Sequence, residues 1–305
     1  MKISVCIPIY NFDVRELVND LKKQIQNNSI DAEIILIDDA SDDAFKQINN
    51  ELQNQVEKFV LLEKNVGRSK IRNLFLKYTD GDYLLFLDCD VKIDNKNFLT
   101  NYLQEIEENR DVEVVYGNFK IDSAYSKTLR NRYSVEKEIF SVERSSDFLL
   151  LKTVNFTIKR DVFEKFPFNE HLINYGYEDF VFAKTLEFGN VKFSAIQNPV
   201  IHIDDTSNEI FLNKTETAIN SLFQLHQDSE NRLFINDIKV YRFAKKIIKT
   251  GLKNVFLNFY NLAEKRIKKN LLSENPNLKY LDLFKLGLLL KKIKDQSQNL
   301  GSKIK

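Results

Sequence analysis

Two apolar runs in this sequence end in pairs of acidic residues. Asp38 and Asp39 close the run EIILIDD, and Asp88 and Asp90 close the run LLFLDCDV, with one cysteine between them. An apolar run of this kind predicts a buried strand, where a charge is costly unless it is paired or coordinated. Because side chains alternate along a strand, Asp88 and Asp90 face the same way and can converge on one ion. The pair therefore predicts a site for Mn²⁺ or Mg²⁺, hard cations that prefer carboxylate oxygens.

The alternative for Asp88 and Asp90 is a pair of solvated loop acids that cap the next helix. Asp94 and Asn95 are better placed for that cap, since they directly precede the helical pattern KNFLTNYLQEIEEN. A DxD pair is common by chance in an acidic chain, but its position at the end of an apolar strand favours the functional interpretation.

The elements that must position these acids alternate between strand and helix over the first 120 residues. The predicted strands are ISVCIPI, EIILIDD, KFVLLE, DYLLFLD and VEVVYGNF, and the helices between them begin near Asp13, Ser41, Gly67 and Lys96. This order predicts a mostly parallel, doubly wound α/β sheet sandwiched by helices. In such sheets ligands bind at the carboxyl ends of the strands, which is where both acidic pairs lie.

The pattern loosens after Lys120. SKTLRNRYSVEKEIFSVER and RDVFEKF predict helices, LLLKTVNFTIKR, VKFSAI and PVIHI predict strands, and NEHLINYGYEDFVFAKTLEFG predicts a loop that leads into a helix closed by Gly189. Beyond Asn208 the pattern is helical, and Pro276 is the one clear breaker there. Residues 1–206 are therefore expected to form one domain, and residues 207–305 a helical extension.

No glycine-rich phosphate loop follows the first strand. The segment PIYNFDVREL contains neither GxGxxG nor GxxxxGK[ST], which argues against a dinucleotide-dependent oxidoreductase and a P-loop ATPase. It offers instead a rigid edge at Pro8 and one aromatic ring at Tyr10. That ring has two interpretations, because it can stack on a nucleobase or pack against its own protein.

The charge of the chain is unevenly distributed. The net charge is +1, but residues 239–305 contain 17 Lys and Arg against 4 Asp and Glu, a net of +13, so the other 238 residues carry −12. An acidic body with a basic tail indicates two roles.

Cys6 and Cys89 lie in apolar runs without metal or disulfide spacing, which is typical of reduced thiols in a cytosolic protein. No signal peptide and no stretch of ~18 consecutive apolar residues is visible, and we expect a cytoplasmic protein.

Five motifs occur in an order that resembles a known family. SVCIPIYN, IILIDDAS, NVGRSKIRN, LLFLDCDV and NYGYEDFVFAKTLEFG have the order and rough spacing of the family two glycosyltransferases, which have the GT-A fold of nucleotide-diphospho-sugar transferases and a DxD motif. Each motif alone is weak, but five in register over residues 1–206 are strong. The resemblance implies transfer of a sugar from a nucleotide-diphosphate sugar to a hydroxyl, with inversion of the anomeric centre and dependence on Mn²⁺ or Mg²⁺.

The resemblance places the nucleobase and ribose at the ends of the first two strands. It gives this role to Pro8, Tyr10 and Asp39, with Asp38 beside them. An Asp can accept the imide N–H of uracil, which implies a UDP-sugar. The alternative is that these acids cap the helix that starts near Asp42.

The segment NVGRSKIRN is implied to bind the diphosphate or sugar hydroxyls through Gly67, Arg68 and Arg72. The two arginines are four residues apart, so one helix face carries both, and the helix N-terminus near Gly67 favours anions. The alternative is that one Arg pairs with a local acid such as Asp88, and both interpretations can hold at once.

The family pattern assigns Asp90 directly to the metal. It places Asp88 near the ribose and sugar, or on the ion through water. His202 ends the strand PVIHI, and in several GT-A enzymes a His in that region completes the metal shell, although a lone His is more often structural. Asn155, in TVNFTIKR, matches a segment where relatives present a small or polar residue to the donor sugar.

The Glu-Asp pair in NYGYEDFVF matches the position of the family's catalytic base. Asp179 would take the proton from the acceptor hydroxyl, and Glu178 would bind acceptor or donor hydroxyls. The rings of Tyr175 and Tyr177, which precede the pair, suit the apolar faces of sugars. The alternative is that an acidic pair at a helix N-terminus only compensates the helix dipole.

The basic tail departs from the family pattern. Lys245, Lys246, Lys249 and Lys253 recur at helical spacing between apolar residues, which is typical of a helix that lies on an anionic membrane surface. An equally good interpretation is a helical cap that packs on the catalytic domain or on a second subunit. No aromatic interleaving or known motif supports binding to nucleic acid.

Together these observations predict a metal-dependent, inverting hexosyl- or N-acetylhexosaminyltransferase of bacterial surface polysaccharide synthesis. Residues 1–120 would bind the donor and residues 121–206 a glycan or lipid-linked acceptor, at the inner face of the membrane. Monomer and homo-oligomer stay open as alternatives. Two alternatives stay open. A nucleotidyltransferase would need a basic, glycine-rich loop after the first strand. A non-catalytic glycan or membrane adaptor would be expected to lack one or more of the acids Asp88, Asp90 and Asp179.

Overall fold

The structure is a computed structural model that describes residues 1–172, 175–228 and 231–302. Its strands are β1 (Ile3–Ile9), β2 (Ala32–Asp38), β3 (Lys58–Leu61), β4 (Tyr83–Leu87), β5 (Val91–Lys92), β6 (Val114–Tyr116), β7 (Phe119–Ile121), β8 (Arg144–Ser145), β9 (Asn155–Lys159), β10 (Phe193–Ile196) and β11 (Val200–His202). Its α-helices are α1 (Arg15–Asn27), α2 (Asp43–Asn49), α3 (Arg68–Leu74), α4 (Phe98–Glu108), α5 (Leu129–Lys137), α6 (Arg160–Lys165), α7 (Glu178–Phe188), α8 (Asn208–Gln227), α9 (Lys239–Lys249), α10 (Lys253–Leu271) and α11 (Leu278–Ser302).

Within the described residues, eight strands form the main sheet in the order β3-β2-β1-β4-β9-β6-β10-β8. The neighbours β3–β2, β2–β1, β1–β4 and β6–β10 are parallel, whereas β9 is antiparallel to β4 and β6, and β8 to β10. Six of these eight strands therefore run in one direction, which confirms the predicted, mostly parallel α/β sheet. The carboxyl ends of those six strands lie at one edge of the sheet, together with the amino end of β9.

The centre of this sheet is apolar because helices cover it. Every residue of β4 is buried, and β1 is buried except for its partly exposed Pro8, as continuous apolar runs predict. Phe86 of β4 stacks on Phe156 of β9 with ring centroids 5.1 Å apart. Its edge contacts with Phe75 and Phe163, at 5.7 and 5.3 Å, join flanking helical segments to the sheet. The loops at the carboxyl edge are thus attached to a rigid, close-packed base.

A second sheet of three strands, in the order β5-β11-β7, corrects the sequence prediction. The run VEVVYGNF is not one strand, because the chain bends after β6 and β7 leaves the main sheet. Asn118 at the bend has φ of 67°, and a Cβ on Gly117 would lie 2.2 Å from Tyr102 Oη and 2.8 Å from the Asn198 carbonyl oxygen. The bend therefore requires glycine at position 117.

The predicted helices of the first half are present, with changes at their ends. The helix predicted over AFKQINNELQNQV is α-helical only to Asn49 and continues as a 3-10 turn to Asn54. Asp42 rather than Ser41 is the residue at the N-cap of α2. The Ser41 hydroxyl instead accepts a hydrogen bond from the backbone N–H of Asn11, which lies after β1.

The chain divides into two compact units. The first comprises Met1–Ala124, Lys137–Ile173 and Glu178–Asp204, and it contains both sheets. The second comprises Tyr125–Glu136, Asn174–Tyr177 and Asp205–Lys305. The core of the second unit is built from buried apolar side chains of α5, α8, α10 and α11, namely Leu129, Phe211, Leu212, Tyr260, Ile267, Leu271, Leu281 and Phe284. Among the helices of the described residues, none has the length and apolar character that a membrane crossing requires.

Candidate active site

The end of β1 presents Tyr10 at the surface. Its side chain is 53% exposed, whereas Pro8 is partly buried within the strand. Asn11, with φ of 50°, donates from its side-chain amide to Asp42 Oδ2 at 3.2 Å, and the backbone N–H of Asp42 donates to Asn11 Oδ1 at 2.7 Å. These reciprocal bonds tie the loop after β1 to the loop after β2. The contact of Tyr10, the residue before Asn11, with a nucleobase stays a prediction.

The two acids at the end of β2 are buried and make different contacts. Asp38 Oδ1 accepts a hydrogen bond from the backbone N–H of Ser41 at 2.7 Å. Asp39 accepts from the backbone N–H groups of Val66 and Gly67, through Oδ1 at 2.7 Å and Oδ2 at 3.2 Å. Burial raises the pKa of the Asp39 carboxyl, and these two N–H groups offset part of the rise. Asp39 therefore fixes the loop that leads into α3, and its contact with a nucleobase stays a prediction.

The two arginines of α3 lie in different environments. Gly67 precedes the helix with φ of 86°, a conformation that suits glycine. Arg68 is exposed, and its Nη1 lies 3.6 Å from Glu178 Oε1. Arg72 is only 3% exposed and donates from Nη2 to Asp88 Oδ1 at 2.7 Å and from Nη1 to the Arg68 carbonyl at 3.2 Å. Arg68 is thus the more accessible of the two arginines, and Arg72 holds Asp88.

Asp88 is fixed at both its backbone and its side chain. Its backbone N–H donates to the Val154 carbonyl at 3.1 Å, which attaches the end of β4 to the start of β9. Burial raises the pKa of its carboxyl, Arg72 opposes that rise, and the nearby Asp90 adds to it. The ion pair with Arg72 is the local pairing that the sequence left open as an alternative.

The second sheet brings Asp90 and His202 together. His202 of β11 lies opposite Val91 of β5, so Asp90, one residue before Val91, reaches the same edge. His202 Nε2 lies 3.3 Å from Asp90 Oδ2, and the backbone N–H of Ile203 donates to the Asp90 carbonyl at 2.8 Å. The Phe119 ring contacts the imidazole edge-on with centroids 5.9 Å apart. Both the backbone and a neighbouring ring therefore orient this pair.

The Asp90–His202 pair fits a hard divalent cation. Burial opposes ionisation of Asp90, but His202 and Arg68 outweigh that effect, and the pKa of the carboxyl is lowered. A carboxylate oxygen and an imidazole nitrogen 3.3 Å apart suit two neighbouring positions around Mn²⁺ or Mg²⁺. Oxygens of a bound substrate and water can fill the remaining positions.

Asp88 does not complete this pair. Its Oδ1 faces Arg72, and over residues 1–172, 175–228 and 231–302 no group of three or more His, Cys, Asp and Glu side chains is arranged to hold a metal ion. The predicted set of Asp90, Asp88 and His202 is therefore not assembled as three direct ligands. A contact of Asp88 with the ion through water, which the sequence analysis also named, is compatible with its position.

The Glu-Asp pair lies at the start of α7, and its two members point to different partners. Glu178 is 7% exposed and faces Arg68. Burial raises the pKa of Glu178, the adjacent Asp179 adds to the rise, and Arg68 opposes it. Asp179 accepts from the Thr153 hydroxyl through Oδ1 at 2.9 Å and from the Thr153 backbone N–H through Oδ2 at 3.3 Å.

Thr153 is a contact that the sequence analysis missed. It precedes Val154, whose carbonyl holds Asp88, so one short segment before β9 contacts both Asp88 and Asp179. Thr153 begins the segment TVNFTIKR, in which Asn155 was the predicted site residue, and no local pattern marks Thr153 as a partner of the acids. Only the strand order, which inserts β9 next to β4, brings it to the acids.

Asn155 departs from its predicted position at the donor sugar. Its side chain is fully buried, and its Nδ2 donates to the carbonyls of Asn118 and Asn198, each at 2.9 Å. Its Oδ1 accepts from the Tyr102 hydroxyl at 2.6 Å. Because these contacts occupy both the oxygen and the nitrogen of its side-chain amide, the structure gives Asn155 a structural role at the bend between β6 and β7.

Replacing Asn155 with Ala is expected to lower the free energy of unfolding by about 3 kcal/mol, since three buried hydrogen bonds of roughly 1 kcal/mol each are lost. Urea unfolding with an unchanged slope would measure the loss. Asn101→Ala serves as the control, because the Asn101 side chain makes one such bond, to Asn198 Oδ1 at 2.9 Å. Unchanged stability together with weaker donor binding would instead restore the predicted contact with the sugar.

Comparison with known proteins adds to this geometry. The family model described as Glycosyl transferase family 2 matches residues 4–169, more than half of the chain. Alignments with the first curated relatives cover only 18–26% of the length of those proteins, which are much longer than the aligned region.

Three known proteins show how far the similarity extends. The poly(ribitol-phosphate) beta-N-acetylglucosaminyltransferase TarS of Staphylococcus aureus strain Mu50 is 37% identical over 113 residues, which are 36% of this chain and 19% of TarS. The enzyme of the same description named TarP, from S. aureus strain N315, is 25% identical over 294 residues, or 88% of this chain and 85% of TarP. The solved mannosyltransferase PcManGT of Pyrobaculum calidifontis, in complex with GDP-Man and Mn²⁺, has a TM-score of 0.58 at 13% identity and covers 94% of this chain and 86% of its own.

The solved structure of S. aureus TarS 1–349 in complex with UDP-GlcNAc has a TM-score of 0.53 at 18% identity, over 97% of this chain and 92% of that chain. At such identities the likeness shows the fold alone, and it confirms the predicted GT-A class. The match over residues 4–169 confirms the family that the five motifs resemble. This chain therefore belongs to glycosyl transferase family 2.

Proposed function

We propose that this chain transfers a hexosyl or N-acetylhexosaminyl group from a UDP-sugar to a hydroxyl of a glycan or lipid-linked acceptor, in the synthesis of a bacterial surface polysaccharide. The observation that carries the proposal is the Asp90–His202 pair at the carboxyl edge of the sheet, with the exposed Arg68 close enough to lower the pKa of Asp90. The relatives support it, since TarS and TarP are named for transfer of N-acetylglucosamine to poly(ribitol phosphate) and TarS has been solved with UDP-GlcNAc.

The nucleoside would lie across the ends of β1 and β2. The exposed Tyr10 ring offers a stacking surface next to the partly buried Pro8. Asp38 and Asp39 hold the surrounding loops through backbone N–H groups. Each carboxylate oxygen of Asp39 retains a lone pair beyond its bond to Val66 or Gly67, so the base can donate its imide N–H to it.

The diphosphate would lie between Arg68 and the Asp90–His202 pair. A divalent cation held by this pair, Mn²⁺ or Mg²⁺, would neutralise charge on the diphosphate as it leaves. Arg68 supplies a further positive charge from an exposed position on α3. Arg72 keeps Asp88 oriented through the 2.7 Å bond, so Asp88 can accept from ribose or sugar hydroxyls with its other oxygen.

The acceptor hydroxyl would be activated by Asp179. Thr153 fixes both oxygens of this carboxylate, which leaves the remaining lone pairs in a defined direction for a proton. A single displacement by the activated hydroxyl, from the face opposite the leaving diphosphate, inverts the anomeric centre. Glu178, held by Arg68, would bind sugar hydroxyls beside the reacting carbon.

For the division of labour along the chain we propose the bounds that the sequence predicts. Residues 1–120 would bind the donor, residues 121–206 the acceptor, and residues 207–305 would form the basic helical extension. We place the enzyme at the cytoplasmic face of the membrane as a peripheral protein, because a lipid-linked acceptor is reached there. A homo-oligomer is compatible with this arrangement.

The proposal predicts metal-dependent cleavage of a nucleotide sugar. With a panel of UDP-, GDP- and dTDP-sugars and Mn²⁺, we expect nucleotide release from at least one UDP-sugar, and a chelator should abolish it. Released nucleotide is measured by ion-exchange chromatography, and the unhydrolysed donor in a chelated sample is the matched control. If no donor of the panel is bound or turned over with either Mn²⁺ or Mg²⁺, the proposal fails.

A further inference from the structure

Helix α10 has a second apolar face that its own unit does not cover. One face packs in the core of the helical unit through Leu257, Tyr260, Ile267 and Leu271. A different set of apolar residues, Leu252, Val255, Phe259 and Leu262, recurs at intervals of three, four and three residues and is exposed. This spacing places the four side chains on one side of the helix. Exposure reaches 69% at Phe259 and 85% at Leu262, so large apolar surfaces face water there.

The charges around this face are almost all positive. Residues 239–272 contain ten Lys and Arg against one Glu, a net charge of +9. Arg266 and Lys269 continue the spacing of the apolar face toward the end of α10, and Lys265 flanks it. The single acid, Glu264, is turned toward α11 and pairs with Lys291 at 2.8 Å. The exposed side of α10 is therefore apolar in its first half and basic in its second.

Helix α9 repeats this combination. Phe243 is exposed, and the neighbouring Arg242 and Lys246 are exposed as well. The opposite side of α9 is buried through Tyr241 and Ala244. Both helices thus present apolar side chains among cations while their other sides pack inside the unit.

We propose that α9 and α10 bind the surface of an anionic lipid bilayer. Phe243, Phe259 and Leu262 would enter the boundary between headgroups and acyl chains, and the surrounding Lys and Arg would lie among the lipid phosphates. Apolar burial and attraction to anionic headgroups act together in such helices, and each alone is weaker. The inference goes beyond glycosyl transfer, because it depends only on the surface of these two helices.

The charge pattern favours a bilayer over two other binding partners of the exposed face of α9 and α10. A second copy of this chain docked through the same face would bring together two copies of a segment, residues 239–272, whose net charge is +9, which opposes association. A nucleic acid would meet the cations but would leave Phe259 and Leu262 without an apolar environment. An anionic bilayer is the partner that offers both negative charge and an apolar layer.

The test is co-sedimentation of the full chain with vesicles of phosphatidylcholine, with and without phosphatidylglycerol. We expect binding to the phosphatidylglycerol vesicles, weakened by salt, and little binding to phosphatidylcholine alone. The double variant F259S/L262S should bind at least about ten-fold more weakly, since both side chains are exposed and their loss leaves the core intact. F188S is the matched control, because Phe188 is similarly exposed but lies on α7.

Other outcomes would overturn the proposal. Equal binding of the wild type and F259S/L262S, or equal binding to both kinds of vesicle, would remove the role of this face. A wild-type chain that elutes as a dimer and becomes monomeric in F259S/L262S would assign the face to a second copy instead. Nucleotide release from the donor is measured on the same samples without vesicles, so loss of the active site and loss of membrane binding are told apart.

Discussion

Replacement of Asp90 by Asn is expected to lower metal-dependent donor turnover roughly 10³-fold, because a bound cation contributes several kcal/mol to stabilising the leaving diphosphate. Asn has the same shape as Asp but carries no charge, so the 3.3 Å approach to His202 can persist while the affinity for Mn²⁺ falls. The measurement is the initial rate of nucleotide release at a series of Mn²⁺ concentrations. We expect both a lower maximal rate and a higher half-saturating Mn²⁺ concentration.

The matched control is Asp94→Asn, four residues further along the chain and beyond the short strand β5. Asp94 is exposed, and its carboxylate lies 3.8 Å from Lys120 Nζ, a contact of small energetic weight. The Asp94→Asn variant should therefore release nucleotide at the wild-type rate and with the wild-type dependence on Mn²⁺ concentration. A variant of Asp90 with an unchanged Mn²⁺ titration would show that the metal is held elsewhere, even if the rate had fallen.

The central strands were predictable because each is a continuous apolar run between polar residues. The first strand was predicted as Ile3–Ile9 and has those bounds in the structure, and the fourth differs from its prediction by one residue at each end. These strands are buried on both faces, so composition alone marks them. The direction of most strands followed from the helices between them, because a parallel neighbour needs a crossover.

The second sheet could not be predicted in the same way. Its strands β5, β7 and β11 have two or three residues each, too few for any periodicity. They pair across large sequence distances, as Val91 does with His202. The bend at Gly117 depends on the approach of Tyr102 and Asn198, which only the folded chain brings together. Such pairings are properties of the tertiary structure and leave no local pattern.

At the candidate site, too, some features could be predicted from the sequence and others could not. Strand ends predicted that the acids would gather at one edge, and they do. Which partner each acid takes was not predictable, since Arg72 rather than Arg68 holds Asp88 and Thr153 holds Asp179. One helix carries both arginines, yet α3 buries one and exposes the other. The packing of α3 on the sheet determines that Arg72 is buried and Arg68 is exposed.

The second large effect is expected at Asp179. Asp179→Asn should lower transfer to an acceptor by about 10²- to 10⁴-fold, the usual contribution of a general base, with donor binding unchanged. The Asn side chain can keep both contacts with Thr153, because its amide oxygen can accept from the backbone N–H while its NH2 group donates to the hydroxyl oxygen. The measurements are transfer to the acceptor and, separately, the dissociation constant of the donor. Glu187→Gln on the same helix is the control, because Glu187 pairs with Lys184 in the last turn.

Glu178 is the rival for the role of base, and the two variants separate them. Burial raises the pKa of Glu178, and a base works best when its pKa is near the working pH, which favours Glu178. Glu178 Oε1, however, pairs with the positively charged Arg68. Asp179 is oriented by the hydroxyl and the backbone N–H of Thr153, which are neutral donors. If Asp179 is the base, Glu178→Gln should mainly weaken substrate binding and leave the maximal transfer rate within about ten-fold. A loss of maximal rate in Glu178→Gln with normal transfer in Asp179→Asn would exchange the two assignments.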